Sequence, residues 1–74
     1  MRLVFRLMAD PTIPRRLLIV LERLAAGQTT FEIAKELNRS AETVKHYRHD
    51  VIELLGADNT AQAIAMGFQR GILK

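Results

Sequence analysis

The chain has 74 residues, 49% of them hydrophobic and 26% charged, which suits one small domain and leaves no room for a second. Eleven Lys and Arg against eight Asp and Glu give a net charge of +3, a basic excess that makes nucleic acid a reasonable partner. Cysteine is absent, so no disulfide can staple the fold, and the longest strongly apolar run, Leu17 to Leu21, is far short of the ~18 residues that cross a bilayer.

Residues 1–11 read as an N-terminal arm. Met1 to Met8 is apolar, but Arg6 interrupts it and no small-residue cleavage site follows, so it is not read as a leader and the expected location is the cytoplasm. Asp10-Pro11-Thr12-Ile13-Pro14 separates the arm from a domain over 12–74, because each proline disfavours helix in the residue before it. Pro14 fits the first turn of a helix over about 14–26, in which Leu17, Val20, Leu21, Leu24 and Ala25 recur at helical steps before Gly27 offers a left-handed end. Thr29 and Glu32 stand at capping-box spacing and open a second helix, about 30–38, with Ile33, Ala34 and Leu37 inward. Ser40 caps a third, about 41–55, whose apolar positions are Val44, Val51, Leu54 and Leu55 and which Gly56 stops. After the turn Ala57-Asp58-Asn59, an Ala-rich fourth helix runs over about 60–70 to Gly71. The expected fold class is all-α, four helices behind an arm.

Two short helices joined by about three residues, Asn38 to Ser40, with polar and basic residues facing outward on the second, form the arrangement of a helix-turn-helix DNA reader. With Val44, Val51 and Leu55 turned to the core, Lys45, His46, Arg48 and His49 fall on the flanks and the opposite face. His46 and His49 near Asp50 and Glu53 invite a metal reading, but ligands drawn from one exposed helix face give poor geometry, so neither metal nor cofactor is expected. No nucleophile stands in a recognisable setting and no Gly-rich phosphate loop occurs, so the chain does not read as an enzyme.

The run Gly27-Gln28-Thr29-Thr30-Phe31-Glu32-Ile33-Ala34, then Leu37, Ser40-Ala41-Glu42-Thr43-Val44-Lys45, Val51, Leu55-Gly56 and Gln62-Ala63-Ile64 resembles the LuxR/GerE-type helix-turn-helix domain from about Ile13 to Leu73. The most specific parts are Gly-x-Thr-x-x-Glu-Ile-Ala and Ser-x-x-Thr-Val-Lys at their separation. The resemblance implies a four-helix domain, the second and third helices reading DNA and the fourth supporting dimerisation. Carried over by position, Lys45, His46 and His49 would face base edges in the major groove, while Thr29, Thr30, Lys35, Thr43, Tyr47 and Arg48 would hold phosphates. That division agrees with the physics: a helix N-terminus favours phosphate, and Lys can donate to guanine O6 and N7. Tyr47 either reaches a phosphate through its hydroxyl or packs its ring between helices.

The function so implied is a sequence-specific regulator of transcription that binds double-stranded DNA as a homodimer. Ala61, Ile64, Ala65 and Phe68 on the last helix are the expected dimer contacts, since small residues permit close approach and the helix carries more apolar surface than one face needs. The sequence also departs from the family's usual pattern: Leu17 and Ile19 replace acidic residues, Phe31 a polar or basic one, Tyr47 a His and Leu54 a Lys or Arg. Exposed apolar patches mark contacts. Leu17, Ile19, Phe31 and Leu54 are therefore expected either under the arm, through Leu3, Val4, Phe5, Leu7 and Met8, or against a protein partner. That second possibility defines an alternative function, a helix-turn-helix-derived adaptor or anti-activator that binds a regulator or RNA polymerase with weak DNA binding or none. Arg2 and Arg6 of the arm could instead add phosphate contacts.

Overall fold

A computed structural model describes residues 13–74, so the arm and its expected contacts lie outside the described residues. Four helices follow in order: α1 (Arg15–Ala25), α2 (Thr30–Leu37), α3 (Ala41–Leu55) and α4 (Thr60–Gln69). Among the described residues all regular structure is helical, the all-α class expected.

Local chemistry sets the helix starts. Pro14 stands just before α1 in an extended conformation, and its carbonyl accepts from the N–H groups of Leu17 and Leu18 at 2.9 and 3.0 Å. It therefore sits at the cap position, one residue earlier than its reading as part of the first turn, where a missing N–H also costs nothing. The Thr29 hydroxyl accepts from the Glu32 N–H at 3.1 Å while the Glu32 carboxylate accepts from the Thr29 N–H at 2.9 Å, completing the capping box that opens α2. Ser40 and Asn59 accept in the same way from Thr43 and Gln62 at the starts of α3 and α4.

All four helices end alike. An N–H returns to the carbonyl five positions earlier, from Gln28 to Arg23, Arg39 to Ala34, Ala57 to Ile52 and Ile72 to Gly67, at 2.8 to 3.0 Å. The left-handed residue this requires is glycine at 27, 56 and 71 but Asn38, with φ 59°, in the join between α2 and α3.

The core has two parts that meet along α3. Leu17 and Leu21 of α1, Val51 and Leu55 of α3, Ala63 of α4 and Leu73 of the tail form one. Val20, Ile33, Ala34 and Val44 form the other, and the Tyr47 ring packs against both. The tail closes on α4 because Gly67 has no side chain: a Cβ there would lie 2.8 Å from Leu73 Cδ1. Outside the core, Arg23 Nε donates to Glu36 Oε2 at 3.0 Å and ties α1 to α2, and Arg70 donates to the Leu55 carbonyl at 3.3 Å.

One expectation needs correction here. Leu17 is not surface available to a partner: it is 5% exposed, on the inward stripe with Val20 and Leu21. Leu54 is at the surface, because Leu55 takes the inward place beside it and leaves Leu54 50% exposed.

Candidate nucleic-acid interface

α2 and α3 are separated only by Asn38, Arg39 and Ser40, so the Asn38 geometry fixes how one helix leaves the other. Val44, Val51 and Leu55 anchor α3 inward, and this turns Glu42, Lys45, His46, His49, Asp50 and Glu53 outward, all exposed. Lys45, His46 and His49 thus share one face, with Lys45 and His49 one turn apart. Glu42 belongs to that face too, its carboxylate 3.8 Å from His46 Nε2. It was not among the expected site residues, although its four-residue spacing from His46 was visible in the sequence. Lys45, His46, Arg48 and His49 lie in the middle of α3, and Asp50 and Glu53 make its last part acidic.

The residues expected at phosphates divide. Thr29 and Lys35 are exposed and Arg48 and Thr43 half-buried. The Thr43 hydroxyl accepts from Ser40 Oγ at 2.9 Å, which leaves its own proton to donate outward. Thr30 does not belong with them: it is 9% exposed, its side chain turned to the interior as the first residue of α2. The Tyr47 ring is core packing, with the Arg16 guanidinium 5.7 Å above its centroid. That stacking brings an exposed cation of α1 beside α3, a placement no periodicity in the sequence could reveal. Phe31, 67% exposed in the first turn of α2, lies with its ring centroid 6.0 Å from Lys45 Nζ.

Among the described residues no group of three or more His, Cys, Asp and Glu is gathered to hold a metal ion. No helix there is long and apolar enough to cross a membrane.

This pair of capped helices with an outward polar face coincides with a family match: the family model GerE, described as bacterial regulatory proteins of the luxR family, matches residues 14–67. The chain belongs to the LuxR family of bacterial regulatory proteins. No curated protein and no solved structure matches it. The LuxR-family match spans α1 to α3 and most of α4, so all of the helix-turn-helix unit, including Phe31 and Lys45, lies within it. It therefore makes the chain a regulatory domain of the DNA-binding kind.

On α4 of this LuxR-family domain, Ala63 and Gly67 point inward, whereas Ala61 and Ala65 are exposed, Ile64 half-buried and Phe68 51% exposed. Spacings of three and four place Ala61, Ala65 and Phe68 on one outward stripe, and Ile64 at its edge packs against the core.

Proposed function

We propose that this LuxR-family domain is a cytoplasmic transcriptional regulator that binds double-stranded DNA sequence-specifically, as a homodimer, with α3 in the major groove. The observation that carries the reading is the exposed face of α3, where Lys45, His46 and His49 stand together near the middle of the second helix of a helix-turn-helix. Lys45 donates to guanine O6 and N7, His46 and His49 donate to or accept from neighbouring bases, and Glu42 accepts from a cytosine amino group. Thr29, Thr43, Lys35, Arg48 and Arg16 hold the phosphates that fix register, helped by the N-terminal N–H groups of α2. The outward residues Ala61, Ala65 and Phe68, with half-buried Ile64 at their edge, support a twofold contact that sets two α3 helices about one DNA turn apart.

The alternative, an adaptor that binds a protein partner, keeps the exposed Phe31 and Leu54 as contacts but not Leu17, which belongs to the core. Fluorescence anisotropy on a mixed-sequence duplex at two salt concentrations tests the reading. Binding should fall steeply as salt rises, and Lys45→Ala should weaken it about tenfold. No binding at low salt sinks it.

A further inference from the structure

Phe31 is the most exposed large apolar side chain among the described residues, and it belongs to neither part of the core. Its ring lies beside Lys45, on the side of the domain that the proposed function turns to DNA. We propose that Phe31 is the positioning residue for Lys45 and, through it, a determinant of base preference, an inference that rests on the DNA-binding reading above.

The physical argument starts from lysine itself. A lysine ammonium on its flexible stem is a point charge with many rotamers open to it, so at a groove edge it reaches phosphates as readily as bases. Phosphate contacts carry no sequence information. The negative face of an aromatic ring attracts the ammonium without taking up its N–H groups in ordinary hydrogen bonds. With Nζ 6.0 Å from the Phe31 centroid, the direction of Lys45 is biased while its donors stay free for guanine O6 and N7. A basic side chain at 31 would do the reverse, repelling Lys45 and binding phosphate itself. The aromatic ring therefore trades affinity of the sequence-independent kind for discrimination.

The test measures base preference and side-chain position separately. Preferred duplexes are selected from a random pool with the wild-type protein, and affinities for the best site and for its guanine-to-adenine variants are compared in Phe31→Leu, Phe31→Tyr and Lys45→Ala. Phe31→Leu, which keeps apolar bulk without a π face, should lower discrimination at one guanine roughly two- to fivefold, and Phe31→Tyr should retain it. Combined with Lys45→Ala, Phe31→Leu should change discrimination no further. In the DNA-free protein, the ε-methylene protons of Lys45 should show an aromatic ring-current shift that Phe31→Leu abolishes. Unchanged discrimination in Phe31→Leu, or an equal loss with Lys45 already removed, overturns the proposal while leaving DNA binding intact. Wild-type protein that binds no duplex overturns the DNA reading and this inference with it.

Discussion

Glu36 and Arg23 illustrate what a single exposed side chain contributes. The Glu36 carboxyl is held below its ordinary value of 4.5, first by the hydrogen bond from Arg23 and then by the Gln28 side chain. A carboxyl depressed in the folded state stabilises fully above its unfolded value, and the contribution is lost as pH falls through the folded one. The gap in urea midpoint between wild type and Glu36→Gln should therefore be largest near neutral pH and close below about 4.5. It should also be small, because both partners are more than a third exposed and water screens the pair. A gap that does not vary with pH would remove this account. Contacts of this scale were the least legible in the sequence. Arg16 on Tyr47 and Phe31 beside Lys45 join different helices, so no spacing along one helix announces them. Thr30 was misplaced for a related reason: Thr29 and Thr30 look alike in sequence, and only the start of α2 decides which is the exposed cap and which the inward first residue.

At the scale of elements the sequence was far more informative, because caps are local chemistry. Thr29 with Glu32, Ser40 and Asn59 each act within three residues, so helix starts could be read without knowing the fold. The helix ends share one hydrogen-bonding pattern, and the join of α2 to α3 is distinguished by Asn38 in place of glycine. Asparagine tolerates the left-handed region better than other residues with a Cβ. Asn38→Ala should therefore cost about 1 kcal/mol, whereas Asn38→Gly should be close to neutral, as thermal denaturation followed by circular dichroism would measure. Equal losses from both would mean that the Asn38 side chain, not its backbone conformation, matters. The inward stripe of α1 was legible as a periodicity, yet the departure from the family's usual residues drew Leu17 onto the surface. The fold answers that by giving Leu17 a place beside Leu21, Val51 and Leu55.

For the whole molecule, the proposed twofold contact rests on the divided character of α4. Its inward residues, Ala63 and Gly67, let α3 and the Leu73 tail approach closely, while Phe68 projects from the other side. Phe68→Glu should convert the proposed dimer to a monomer in sedimentation equilibrium without loss of helicity, and should weaken binding to a paired site far more than to a half-site. A wild type that stays monomeric at every concentration would contradict the twofold arrangement. The two core parts also have a consequence for how binding preference can change. α3 supplies Val44 to one and Val51 and Leu55 to the other, so the helix proposed to read DNA also binds the two halves of the interior together. Its outward positions 45, 46 and 49 are free of that duty. Randomising those three codons alone should yield a library whose members nearly all fold, so that retargeting this domain becomes a problem of recognition separated from stability.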